Sequence, residues 1–216
     1  MPRKYPPSPL FIFRIIHVDN LDFALANGLF AATHPSKNSA YRFIGDSILT
    51  QEREVYEIPE LPHAGELGDY IPFYFGARSP MLLNIITGRR GIPKVEQPKI
   101  VYIVCKWQTL IQHNCQIIFT DGHAKSALTT FYEDPNDLSK IDFDAAYSKK
   151  WSKQADGGEA FRKKQAEVLV KHHVPVSCID RLYVYNREAQ INAQQKVENS
   201  SLQLKVAIAP ETKLYF

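Results

Sequence analysis

Residues Lys164 to Val176, KQAEVLVKHHVPV, constrain this chain more than any other stretch, because they set an acidic residue inside an otherwise apolar strand pattern. Ala166, Val168 and Val170 alternate on one face, Gln165, Glu167 and Leu169 on the other, and Pro175 ends the run, so the spacing predicts a short strand. Gln165 and Glu167 are then expected to project the same way. A carboxylate flanked by Val and Leu is costly to bury unless it is paired or used, which makes Glu167 a candidate functional group. On an edge strand the same residue would simply face water.

Other strands follow from β-branched and aromatic runs: Leu10 to Val18, a short piece at Phe73 to Phe75 between Pro72 and Pro80, Ile100 to Lys106, Gln116 to Thr120, Ile179 to Tyr185 and Leu202 to Ala209. Asp19 and Asn20 can cap a helix over Leu21 to Asn27, which Gly28 is placed to end in the left-handed conformation. Ile44 to Val55 has helical spacing, whereas Thr33 to Tyr41 and Leu61 to Gly68 read as loops. Strands dominate without a regular βαβ alternation, which predicts an α+β fold around a mainly antiparallel sheet. No biased linker divides the 216 residues, so one domain over 1–216 is expected.

Three cysteines, none spaced as CxxC, suggest neither a disulfide framework nor a zinc site, and a reducing, cytoplasmic setting is the expectation. Arg14 interrupts the apolar run near the N-terminus, which argues against a signal peptide, and no stretch reaches the length of a membrane span. A net charge of +3 is too small to name a partner by itself. The charge is nonetheless gathered: Lys149, Lys150, Lys153, Arg162, Lys163 and Lys164 precede the Glu167 strand, and with Arg78, Arg89 and Arg90 they are candidates for a phosphate-facing surface.

No phosphate loop, nucleophile elbow or metal-ligand spacing is present, and His172 and His173, adjacent on a strand, point apart. What remains is a set of isolated polar groups beside apolar neighbours: Arg14, Arg53, Tyr74 and Glu167. Arginine forks suit a diphosphate, a tyrosine ring can stack a flat cationic ring, and a carboxylate favours positive charge developing at a sugar carbon. Together they suit cleavage of an N-glycosidic bond in a dinucleotide.

The segments HVDNLDFALANG, ILTQEREVYEIP, DYIPFYFGARSPML, IIFTDGHA and KKQAEVLV followed by VP occur in order over roughly residues 5 to 185. In these segments the chain resembles the DarT family, toxins that transfer ADP-ribose from NAD+ to bases of single-stranded DNA. The resemblance implies an ADP-ribosyltransferase-like fold with a split sheet, NAD+ as co-substrate, no metal, single-stranded DNA as partner and a cognate antitoxin. Matched position by position, it implies Glu167 and Arg53 as catalytic residues. It implies NAD+ contacts from Arg14, His17, Asn20, Gly28, Arg53 and Tyr74, and acceptor contacts from Gln165, His123, Arg78 and Tyr74. Thymidine-modifying members typically carry His where this chain has Arg14, and that departure favours guanine over thymine as the target base. Transfer to RNA or protein, NAD+ hydrolysis, and a non-catalytic nucleic-acid-binding module are the competing readings.

Overall fold

The structure, a computed structural model, describes residues 6–151, 155–210 and 214–216; Lys153 of the cationic segment lies outside the described residues. The elements in the first half are β1 (Phe11–His17), α1 (Leu21–Asn27), β2 (Leu29–Phe30), α2 (Ser47–Glu54), β3 (Tyr70–Tyr74), α3 (Pro80–Thr87), β4 (Ile100–Lys106) and α4 (Trp107–Gln112). Then follow β5 (Ile117–Thr120), β6 (Phe131–Tyr132), α5 (Phe143–Tyr147), α6 (Glu159–Lys163), β7 (Glu167–Lys171), β8 (His173–Val174), β9 (Ile179–Val184), α7 (Arg187–Asn199) and β10 (Lys205–Ile208).

Eight strands form one sheet in the order β10-β9-β4-β1-β3-β7-β5-β6, and β2 pairs with β8 apart from it. Neighbours run antiparallel except β9 and β10, in keeping with the expected α+β class. The sheet is split. β1 pairs with β4 from Phe11↔Lys106 to His17↔Ile100, and β3 with β7 from Tyr70↔Lys171 to Tyr74↔Glu167, yet β1 meets β3 only at Phe13↔Tyr74.

Pro72 explains how β3 tolerates a proline. The N–H and C=O of one strand residue point to the same side, and the Pro72 carbonyl faces the split, where it accepts from Arg14 Nη1 at 2.8 Å. The missing N–H therefore falls where no strand partner stands. Val168 and Val170 of β7 belong to the main core with Ile12, Phe73 and Phe119, while Leu169 belongs to a second cluster with Leu67 and Tyr70. Phe73 and Phe119 are fully buried, each contributing about 1.5–3 kcal/mol of apolar transfer. Among the described residues no helix is long and apolar enough to cross a membrane.

Several expectations are corrected. The strand begins at Glu167, because Lys164 is still helical (φ −57°, ψ −24°) at the end of α6 and Gln165 lies in the following turn. Gln165 and Glu167 are therefore not neighbours on one strand face. Asn20 makes no capping bond to α1; its amide is committed to the backbone of Arg42. Gly28 has the positive φ expected (+80°) but an extended ψ of −158° rather than the left-handed conformation. Helices α3 to α7 are additional to the sequence expectation. α3 starts where Ser79 caps Leu82 N with Pro80 in the first turn, and α7 where Asn186 caps Ala189 N.

Candidate active site

Glu167 is the first residue of β7 and is 1% exposed. Its cross-strand partner is Tyr74, so the two side chains share one face of the sheet. α2 supplies the counter-charge. The helix is started by Asp46, whose Oδ1 accepts from Leu49 N, and its last turn carries Arg53. Arg53 donates to both oxygens of Glu167, from Nη1 to Oε1 at 3.1 Å and from Nη2 to Oε2 at 2.8 Å, across 114 positions of sequence. Gly68 lets α2 sit this close, since a Cβ there would lie 2.4 Å from Glu54 O. Ala124 N adds a third donor to Oε1 at 2.8 Å, and Glu167 N donates to Thr120 Oγ1 at 3.1 Å.

Burial alone would push the Glu167 carboxyl up, but the Arg53 charge and hydrogen bonds outweigh it and hold the group below the ordinary carboxylate value. The same pairing raises Arg53 against the opposing effect of its own burial. Glu167 is thus held as a buried anion at neutral pH. Burial lowers His123 and keeps its ring neutral at pH 7. Lys125 N donates to His123 Nδ1 at 3.2 Å, which assigns the ring proton to Nε2. Burial, reinforced by Glu167, raises Tyr74 and keeps its phenol protonated.

Glu167, Arg53, Tyr74 and His123 line a cavity of about 160 Å³ at the sheet split. A second cavity of about 250 Å³ adjoins it, bordered by Asn20, Gly28 and Phe23. The two share Arg14, Phe30, Tyr41 and Phe43 as walls, so a cation stands where the lobes meet. Gly28 is required where it stands, because a Cβ would lie 2.2 Å from Val174 O. Asn20 holds the loop carrying Arg42 over this second lobe through bonds of 2.8 Å to both Arg42 N and O.

Other expected site residues stand elsewhere. His17 is 1% exposed, accepts from Asp19 N through Nδ1 at 3.1 Å, and lines neither cavity. Arg78 lies 4.3 Å over the Phe216 ring, with its backbone N–H on Tyr102 Oη, away from both cavities. Gln165 donates to Phe161 O. The cationic segment divides: Lys164 is buried with Nζ on Ala77 O and Ala146 O, Lys163 pairs with Asp142 and Arg162 with Asp121, while Lys149, Lys150, Arg89 and Arg90 are exposed. Sequence reasoning did not single out the Ala124 N–H, Thr120 or the Phe30, Tyr41 and Phe43 walls; Thr120 and Ala124 stand inside the motif IIFTDGHA.

A family model described as "DarT: ssDNA thymidine ADP-ribosyltransferase, DarT" matches residues 13–216. A DNA ADP-ribosyl transferase of Escherichia coli O127:H6 (strain E2348/69 / EPEC) is 32% identical over 200 residues, covering 93% of this chain and 91% of the relative. A DNA ADP-ribosyl transferase of Thermus sp. (strain 2.9) is 34% identical over 188 residues, covering 87% and 86%. The solved structure of Thermus sp. 2.9 DarT in complex with ADP-ribosylated ssDNA superposes with a TM-score of 0.87 at 29% identity and full coverage of both chains. The same protein in complex with NAD+ superposes with a TM-score of 0.82 at 28% identity, covering 98% of this chain and 100% of that one.

Proposed function

The chain belongs to the DarT family, and on that premise we propose that it transfers ADP-ribose from NAD+ to a nucleobase of single-stranded DNA. The observation that carries this reading is the Arg53–Glu167 pair, a buried anion held by a rigid fork at the floor of a two-lobed cleft. The cleft suits an elongated dinucleotide with a central diphosphate: two confluent cavities meet at Arg14, and one of them ends at Glu167 and Tyr74.

NAD+ supplies the ADP-ribosyl group, and its nicotinamide leaves with the electron pair of the broken C1′–N bond. Glu167 accepts a hydrogen bond from a ribose hydroxyl and opposes the positive charge that grows at C1′. Arg53 keeps Glu167 ionised and aimed; the Ala124 N–H also donates to Oε1, the oxygen that Arg53 Nη1 meets. Tyr74, neutral and on the same face, offers its ring to the nicotinamide. A ring nitrogen of the unpaired base then bonds C1′ and sheds a proton. Exposed Arg89, Arg90 and Lys150 are available to DNA phosphates.

For the base itself we favour thymine, which the description of the matching family supports. Guanine is the second reading, carried by Arg14 standing where thymidine-modifying members have His; the guanidinium donates to Pro72 O at 2.8 Å at the junction of the two lobes, and family membership alone does not separate the two bases. Labelled NAD+ incubated with four single-stranded oligonucleotides, each lacking one base, tests both statements. Loss of label only without thymine is expected; loss only without guanine would establish the guanine reading, and free ADP-ribose with no labelled oligonucleotide would replace transfer by NAD+ hydrolysis. Family membership also supports a toxin role: expression is expected to arrest growth, relieved by a partner that removes ADP-ribose from DNA or blocks the cleft.

A further inference from the structure

Arg162 sits in the cationic run ahead of Glu167, where a phosphate contact is the natural expectation, yet its side chain is only 14% exposed and its donors are taken. Nε and Nη2 fork onto Glu159 at 3.0 and 3.2 Å within α6. Nη1 reaches across to Asp121 Oδ1 at 3.0 Å and to Asp121 O at 3.4 Å. The side chain also packs against the next residue, since a Cβ on Gly122 would lie 3.0 Å from both Arg162 Cγ and Nη1.

Asp121 opens the loop that completes the site. Its Oδ1 accepts from Thr130 N at 2.9 Å, which closes the loop at its far end. Thr120 Oγ1 donates to Gly122 O at 2.7 Å and accepts from Glu167 N. Thr129 Oγ1 donates to His123 O at 2.8 Å, and Ala124 N donates to Glu167 Oε1. Lys125, further along, pairs with Glu52 of α2, beside Arg53. The loop is therefore strapped to α2 on one side and to α6 on the other, with the Glu167 carboxylate between.

We infer that Arg162, acting through Asp121 and Gly122, is a positioning residue that holds the 121–130 loop so that the Ala124 N–H meets Glu167 and His123 faces the cleft. This rests on the transferase reading and deepens it: Arg162 serves the rate of the reaction rather than the grip on DNA. An arginine is required because one side chain must serve Glu159 and Asp121 in a single plane, which a lysine ammonium cannot reproduce.

The test uses the whole chain with Arg162→Gln, Arg162→Lys and Asp121→Asn, measuring kcat, KM for NAD+ and the salt dependence of single-stranded DNA binding. Loosening the loop is expected to lower kcat of Arg162→Gln by about 10-fold or more, with KM for NAD+ and the slope of log Kd against log salt unchanged. Arg162→Lys recovers part of the rate, and Arg162→Gln combined with Asp121→Asn is no slower than the worse single variant. Unchanged kcat in Arg162→Gln, or a salt slope smaller by about one at unchanged saturated rate, overturns the proposal and marks Arg162 as spare or as a phosphate contact. Should Arg162→Gln not fold, Asp121→Asn carries the same readings with the Glu159 fork intact, and wild-type turnover there overturns the proposal. Absence of transfer by the wild-type chain would instead remove the reading on which the proposal rests.

Discussion

Replacing Arg53 with Met should reverse the pH dependence contributed by the active-site carboxylate. The substitution keeps the aliphatic length of the side chain and deletes the fork that donates to both Glu167 oxygens. Glu167, 1% exposed, would be left with the Ala124 N–H as its remaining donor from the present set. Breaking a buried pair from one side costs about 3–5 kcal/mol, because the surviving charge is uncompensated. For a chain of this size that corresponds to a fall in Tm of roughly 6–20 °C near neutral pH. In the wild type the Glu167 carboxyl lies below its unfolded value, so its contribution is present above the unfolded pKa and is lost as pH falls through the folded one. In Arg53→Met burial is opposed by the weaker effects of His123 and the Ala124 N–H alone, and the folded value rises above the unfolded one, so the variant gains stability relative to wild type on acidification towards about pH 4. Thermal unfolding of both proteins across that range, with Arg53→Met/Glu167→Gln as a third sample, measures the effect. The double variant should recover part of the loss at neutral pH. A deficit that stays constant from pH 7 to about pH 4, or no deficit at all, would refute the claim that the pair is buried and ionised.

Two further outcomes follow from the packing around the cleft. Burial, with a smaller effect of Arg78, pushes the Lys164 ammonium down to about 8, so between that value and the ordinary lysine value near 10.4 the unfolded chain holds more protons than the folded one. Stability should therefore rise with pH across this window in urea titrations, and Lys164→Met should abolish the rise; a rise that persists would assign it to another group. Gly68→Ala puts a Cβ 2.4 Å from Glu54 O, so α2 must shift. The expected cost is about 1–3 kcal/mol in stability, with kcat falling by more than about 10-fold as Arg53 moves off Glu167, and wild-type turnover in Gly68→Ala would show that the seat of α2 is not critical.

The sequence makes the buried strands legible because β1 and β4 are written in long Ile, Val and Phe runs, and β7 announces itself by the acidic residue placed among Val and Leu. The short helices are hidden for a physical reason. α4, α5 and α6 have five or six residues each, below the length at which propensity holds a helix; they exist through tertiary packing, and of the three α5 has a side-chain cap, from Asp142. The sheet split is likewise invisible locally, since it depends on where the pairing between β1 and β3 stops. Glu167 and Arg53 were both identifiable from the resemblance, but that they form a fork over 114 positions is a fact of the fold. The cationic run shows the opposite failure. Charge counted along the chain suggested a phosphate surface, whereas Lys164 is spent on two carbonyls and Arg162 on two carboxylates.

The central claim is that this cleft joins ADP-ribose to a DNA base through Glu167. Mass spectrometry of a single-stranded oligonucleotide containing all four bases, after incubation with NAD+ and either the wild-type chain or Glu167→Ala, tests it most directly. The wild type is expected to add one ADP-ribosyl group to a fragment containing the target base, and Glu167→Ala to add none while still binding the oligonucleotide. An unmodified oligonucleotide from the wild type, or an equal yield of adduct from Glu167→Ala, would contradict the account.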